Sequence, residues 1–251
     1  MEAIISDVHA NAPALKAVLR DIRDQGIKRI RCLGDVIGYG PNPRSCIDAA
    51  MNFRTCLRGN HEQALLVEME ANVFNDKAKG SLEWTRRQLS MLGDDKDANS
   101  QRWNFLGDLP DSVEEDDVLY VHGSPRGHTM EYVYPRDARD REKMSAVFKH
   151  MEHICFAGHS HIPGIWTEDN AYLTPENIDN NYRLANDTKS LINVGSVGQP
   201  RDGDVRASYV VFDGKSVQFR RVAYPVERTI EMMEKINALP SALSKRLRDG
   251  R

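Results

Sequence analysis

The chain has 251 residues, enough for one large domain or two small ones. Hydrophobic residues make up 40% and charged residues 28%, a mixture that can bury a core and that excludes wholesale disorder. Lys and Arg number 34 against 37 Asp and Glu, a formal net charge of −3, which lacks the basic excess of a nucleic-acid binder.

No run approaches the ~20 apolar residues needed to cross a bilayer. Met1-Glu2-Ala3-Ile4-Ile5 carries no basic segment ahead of an apolar stretch, unlike a secretory signal. Cys32, Cys46, Cys56 and Cys155 are scattered without a C-x-x-C pair, as expected of reduced, mostly buried thiols. The expectation is a cytoplasmic protein with no membrane partner.

Ala3-Ile4-Ile5 reads as a buried strand. Leu15, Val18, Leu19 and Ile22 recur at helical spacing after Pro13, and Gly26 can end that helix. Ile30–Leu33 and Phe53–Leu57 read as further strands, so strand, helix and strand follow one another as in a parallel βαβ unit. Residues 62–92 contain no proline and read as helical, and Asp94–Asn99 as a charged loop. Val118–Val121 is another strand, 137–151 an exposed helix, and Ile154–Ala157 a strand running into Gly158. Beyond it come short strands at Ile162–Trp166, Ala171–Thr174, Arg183–Ala185, Leu191–Val194, Ser208–Phe212 and Val217–Val222. They suggest a largely antiparallel meander, with Asp213-Gly214 as a hairpin turn. Helices at 226–237 and 241–249 close the chain. The change of texture near residue 160 has no linker, so residues 1–251 read as a single domain.

Five of these strands stop at residues able to bind a metal: Asp7-Val8-His9, Gly34-Asp35, Gly59-Asn60-His61, His122-Gly123 and Gly158-His159-Ser160-His161. In α/β sheets, sites form beyond the carboxyl ends of strands. An i, i+2 spacing in extended backbone would put Asp7 with His9, and His159 with His161, on one side. Of eight histidines, five fall at these ends, a clustering that random placement seldom gives. Imidazole mixed with carboxylate suits Mn, Fe, Zn, Co or Ni better than Mg or Ca. Seven candidate ligands exceed the four of a lone zinc and indicate two ions.

Taken in order, Asp7-x-His9, Gly34-Asp35, Gly59-Asn60-His61-Glu62, His122 and Gly158-His159-x-His161 resemble the calcineurin-type metallophosphoesterases. The stretch Asn193–Arg201 (NVGSVGQPR) and the small size are similar to the compact bacterial and archaeal branch. The resemblance implies an α/β four-layer α/β/β/α sandwich with two mixed β-sheets. It implies two divalent transition-metal ions, Mn first among them. Asp7, His9, Asp35 and His161 would hold one; Asp35, Asn60, His122 and His159 would hold the other. It further implies His61 as proton donor to the leaving oxygen and hydroxide bridging the ions as nucleophile.

Two divalent ions (+4) against Asp7 and Asp35 (−2) leave +2, which a diester (−1) with hydroxide (−1) neutralises. That count favours phosphodiesters, unless basic side chains help a monoester. Some relatives, the protein Ser/Thr phosphatases among them, carry Asp and Arg shortly after the bridging aspartate. Here Gly38 and Tyr39 stand there, which argues against a protein phosphatase and removes the usual orienting partner of His61. Asn11 and Arg58 are the candidate substrate contacts, with a helix cap and a neighbouring carboxylate as their structural alternatives. Arg126 and Arg201 are read as rim candidates or solvated side chains. A nucleotide substrate (cyclic nucleotide or dinucleoside polyphosphate) and a non-catalytic scaffold that keeps its metals are the rival readings.

Overall fold

The computed structural model of the protein describes residues 1–67, 69, 74–93 and 95–251. The chain runs β1 (Glu2–Ile5), α1 (Ala12–Asp24), β2 (Ile30–Cys32), α2 (Pro43–Ala50), β3 (Thr55–Cys56), α3 (Asn60–Leu66), α4 (Asp76–Gln88) and α5 (Lys96–Gly107). Then come β4 (Ser112–Glu115), β5 (Val118–Val121), α6 (Arg141–Phe148), β6 (Ile154–Ala157), β7 (Gly164–Thr167), β8 (Tyr172–Leu173), β9 (Asn181–Arg183), β10 (Ser190–Asn193), β11 (Ala207–Phe212) and β12 (Ser216–Val222). Helices α7 (Val226–Glu234) and α8 (Ser241–Asp249) follow.

Two six-stranded mixed sheets result, ordered β3-β2-β1-β11-β12-β9 and β4-β5-β6-β10-β7-β8. In the first, β1, β2 and β3 are parallel and β11, β12 and β9 antiparallel. In the second, β5, β6 and β10 are parallel, flanked by antiparallel β4 and β7.

Side-chain alternation builds the layers. From β1, Ala3 and Ile5 face a core shared with α1 and α2, while Ile4 faces the core between the sheets. From β6, Ile154 and Phe156 face that inter-sheet core, while Cys155 and Ala157 turn to the layer under α6. Strands with apolar residues on both faces belong where both faces are covered. The molecule is therefore the expected α/β/β/α sandwich. Each large aliphatic chain wholly buried this way contributes about 1.5–3 kcal/mol.

Several local expectations need correction. The second half is not a meander: β10 inserts between β6 and β7, and the strands after residue 160 divide between the two sheets. The helical stretch over 62–92 contains α3 and α4; residues 68 and 70–73 lie outside the described residues, as does Asp94. Most of the loop over 94–99 is the first turn of α5. The helix over 137–151 is a 3-10 turn, Pro135–Arg139, followed by α6, whose N-cap Asp140 accepts from the Lys143 N–H. Helix α2 and strand β4 carry no strong sequence signal. β4 is an edge strand, Ser-Val-Glu-Glu, with no fully buried residue.

Candidate metal centre

The parallel strands β1, β2, β3, β5 and β6 deliver their following loops to one end of the sandwich. There Asp7, His9, Asp35, Asn60, His61, His122, His159 and His161 converge, each at most 5% exposed. His9 Nε2 lies 3.1 Å from His161 Nε2, and His161 Nε2 3.1 Å from Asp7 Oδ1. His122 Nε2 lies 3.0 Å from both Asn60 Oδ1 and His159 Nδ1. Asp35 Oδ2 stands between these groups, 3.4 Å from His122 Nε2, 3.7 Å from His9 Nε2 and 3.9 Å from His61 Nε2.

The convergence is not achieved by extended backbone. Asp7 (φ 55°), His9 (47°), Asp35 (53°), His159 (65°) and His161 (61°) all adopt the left-handed conformation. Such a residue costs on the order of 1–3 kcal/mol and persists only where its surroundings enforce it. The enforcement is visible. Backbone N–H groups of His9 and Ala10 donate to the carbonyls of Asp35 and Val36, tying the first loop to the second. Glu62, wholly buried, accepts from the N–H groups of Asp35 (2.8 Å), Ile37 (3.1 Å) and Gly59 (2.9 Å) through its two oxygens. It thus staples the second loop to the third. A side chain at Gly59 would meet Asp35 Oδ1 at 2.1 Å, so only glycine admits the carboxylate.

Hydrogen bonding fixes which atoms face inward. His9 Nδ1 binds the Ile37 carbonyl at 3.1 Å, His122 Nδ1 that of Leu33 at 3.0 Å, His159 Nε2 that of Met130 at 3.3 Å and His161 Nδ1 that of Gln199 at 2.5 Å. A carbonyl only accepts, so the proton of each neutral ring sits on that outer nitrogen, and the inner nitrogen offers a lone pair. The carboxylates behave alike. Asp7 Oδ2 accepts from the His159 N–H and Asp35 Oδ1 from the His61 N–H, leaving Asp7 Oδ1 and Asp35 Oδ2 to point inward. Asp7 Oδ1 has no donor at all. Lone pairs thus face lone pairs at hydrogen-bond distance in a buried space, an arrangement that calls for cations. Three groups have ligand atoms within mutual metal-binding reach: Asp7, His9 and His161; Asp35, His122 and His159; and His9, Asp35 and His61. Nitrogen and oxygen donors in this mixture suit divalent transition metals.

Electrostatics agree. Burial opposes ionisation of Asp35, yet the charges of His122 and His61 overcome it and hold the carboxyl below the usual range. Asp7 is held down in the same way by His161 and His9. Burial pushes His61 down to about 3 and His161 to about 4. His122 rises to about 9, because Asp35 overcomes its burial, so in the metal-free protein a proton stands where a cation would. Burial pushes Glu62 up to about 7 against its three N–H donors.

Among the described residues no carboxylate accepts a hydrogen bond from His61 Nδ1. Its ring is wedged between Tyr39 (4.5 Å between centroids), Phe74 (5.0 Å) and His9 (5.0 Å), all at steep angles. A Cβ at Gly38 would sit 2.2 Å from its Nδ1, which has no hydrogen-bond partner. Ring packing fixes the orientation of this side chain.

The two candidate substrate contacts sit differently. Asn11 caps α1 by accepting from Ala14 N–H, accepts from the Thr229 hydroxyl, and donates to the Gly198 carbonyl, so its polar atoms are engaged. Arg58 donates to Asp111 at 3.2 Å and to the Gly107 carbonyl at 3.1 Å. The structure brings neither into hydrogen-bond contact with the cluster. Arg126 forks onto Glu131. His128, His150 and His153 each bind a local or structural carbonyl.

Sequence reasoning missed the bracing role of residues 193–199. Asn193 Nδ2 donates to the Gly158 carbonyl and to Ser160 Oγ, supporting the loop that carries His159 and His161. Ser196 Oγ and Gly198 N both donate to the Asp7 carbonyl. The small and amide residues there were the only visible signal.

Residues 1–216 match the sequence profile described as the calcineurin-like phosphoesterase superfamily domain. The chain is 38% identical over 260 residues to an uncharacterized protein of Methanocaldococcus jannaschii (MJ0912), covering 100% of this chain and 98% of that one. Among solved structures, a metallophosphoesterase from Sphaerobacter thermophilus is 35% identical with a TM-score of 0.82, covering 100% of this chain and 98% of its own. A hypothetical protein of Pyrococcus horikoshii OT3 (PH1004) shares the fold at 20% identity and TM-score 0.73, covering 100% and 99%. With its layered fold, its ordered ligand-type residues and a profile match over most of its length, the chain belongs to the calcineurin-like phosphoesterase superfamily.

Proposed function

We propose that the protein hydrolyses phosphate esters with two divalent transition-metal ions, Mn first among them. The observation that carries this is the inward-facing set of lone pairs around Asp35 Oδ2. Asp7, His9, Asp35 and His161 would hold one ion, and Asp35, Asn60, His122 and His159 the other. The ions would supply a hydroxide nucleophile at neutral pH and Lewis acidity toward phosphoryl oxygens for an in-line displacement.

The chain's own residues do the rest. Asp35 holds both halves together through one oxygen, because its other oxygen is committed to the His61 N–H. The outer carbonyl contacts turn four imidazoles so that their inner nitrogens face the centre. His61 stands 3.9 Å from Asp35 Oδ2, the position from which its imidazolium form would protonate the leaving oxygen and return to the neutral ring. A charge count restricted to two ions, Asp7 and Asp35 favours a diester.

The test is hydrolysis of bis-p-nitrophenyl phosphate and p-nitrophenyl phosphate after chelator treatment and readdition of Mn, Co, Ni, Fe or Zn. Metal-restored turnover of at least one ester is expected. Failure of every metal to restore turnover of either ester would overturn the proposal.

A further inference from the structure

Arg201 is the one arginine of its loop left without an acid. Its neighbours are paired: Arg206 forks onto Asp204, and Arg221 binds Asp202. Arg201 is partly buried, and among the described residues no carboxylate lies within ion-pair distance of it. Its Nε is buried without any hydrogen-bond partner. A guanidinium in such surroundings lacks a counter-charge.

Its position is fixed from two sides. The Arg201 N–H donates to the His161 carbonyl at 3.3 Å, and Nη2 donates to Gln199 Oε1 at 2.9 Å. The backbone carbonyl of the same Gln199 holds His161 Nδ1, so one residue orients both a candidate ligand and the guanidinium. The guanidinium carbon lies 5.9 Å from the centroid of the Tyr39 ring, and that ring packs against both His9 (4.6 Å) and His61 (4.5 Å). The positive charge therefore stands beside the proposed leaving-group side of the metal centre. It also lowers the pKa of both His61 and His161, as a nearby cation must.

We infer that Arg201 grips the non-bridging oxygens of the substrate phosphate and admits dianionic phosphate monoesters. The inference rests on the hydrolase reading. Two ions (+4), Asp7 and Asp35 (−2) and Arg201 (+1) sum to +3, which a monoester dianion (−2) with hydroxide (−1) balances. The planar fork of arginine suits two oxygens of one phosphate at once.

The experiment compares wild type, R201Q and R201K, each loaded with Mn and checked for metal content. Readouts are kcat/KM for p-nitrophenyl phosphate and bis-p-nitrophenyl phosphate, and orthophosphate binding by calorimetry. With metal content unchanged, R201Q should lose about 10- to 100-fold in kcat/KM on the monoester and in orthophosphate affinity. The diester should fall less, and R201K should lie between wild type and R201Q. Equal losses on both esters, or unchanged orthophosphate affinity, would overturn the inference. If R201Q loses metal, R201K alone decides by the same comparison. If the wild type hydrolyses neither ester, the hydrolase reading fails, and the orthophosphate titration still decides whether Arg201 holds phosphate.

Discussion

Two clusters of buried charge lie at opposite ends of the sandwich, and they are built on opposite rules. At the amino ends of the parallel strands, Arg31 donates to Glu2 at 2.8 Å and also binds Glu115, while the Tyr120 hydroxyl donates to Glu2 at 2.7 Å. Arg31 also lies 4.4 Å above the Tyr120 ring. Positive meets negative and donor meets acceptor, so the cluster is complete in itself. At the carboxyl ends, acceptors face acceptors around Asp35, and among the described residues Arg201 faces no acid. The larger cavity, about 540 Å³, opens at the self-satisfied end, whereas the one beside His9 and Tyr39 is about 10 Å³. Cavity size therefore misleads here. What marks the chemistry is buried polarity left incomplete by the protein itself.

Breaking each end should have a different consequence. Asp35→Asn should lower turnover more than about 100-fold, since it weakens the one group common to both ion positions. The fold should survive, because apolar layers hold the sheets. Activity, metal content by elemental analysis and a circular-dichroism melt check this; normal turnover would show that Asp35 is not the centre of the site. Arg31→Met should do the reverse. It strands Glu2 in a buried position, with an expected loss of about 3–5 kcal/mol in denaturant unfolding. Turnover per metal-loaded folded molecule should stay unchanged. A large fall in that turnover would mean that the two ends are not independent.

Much of the candidate site was legible because it depends on residue types with narrow chemistry. Asp7, His9, Asp35, Asn60, His122, His159 and His161 stand at strand ends, and the structure brings all of them together. How they meet was not legible. The left-handed backbone at five of them is set by contacts between loops, such as Glu62 reaching three N–H groups and Gln199 holding His161, which no local pattern records. The wedge around His61 is likewise a tertiary product, drawing Tyr39 and Phe74 from separate loops. In the fold, strands with dense apolar runs such as Ile4 and Phe156 announced themselves. Polar β4 did not, and the insertion of β10 between β6 and β7 is a long-range pairing invisible in periodicity. The sequence marks Arg58 as a candidate substrate contact and Arg201 only as a rim or solvated side chain, whereas the structure pairs Arg58 with Asp111 and holds Arg201 through Gln199.

The smallest effect concerns pH and uses the metal-free protein to isolate the incomplete end. His61 and His161 ordinarily titrate near 6.5 but fall to about 3 and about 4 when folded. Between those limits the unfolded chain binds protons that the folded chain refuses, so stability must fall as pH falls below 6.5. His159 is lowered as well and adds to the trend, while Glu62, raised to about 7, opposes it with one group. His122, raised to about 9, acts in another window, where its contribution is lost as pH climbs from 6.5 through 9. Below 6.5 the net slope should be on the order of 1.4 kcal/mol per pH unit for each excess histidine. Denaturant midpoints between pH 4.5 and 6.5 measure it. His61→Phe should flatten the slope by one group, whereas Arg31→Met should leave it unchanged. A slope untouched by His61→Phe would mean that this ring is not held neutral by its burial.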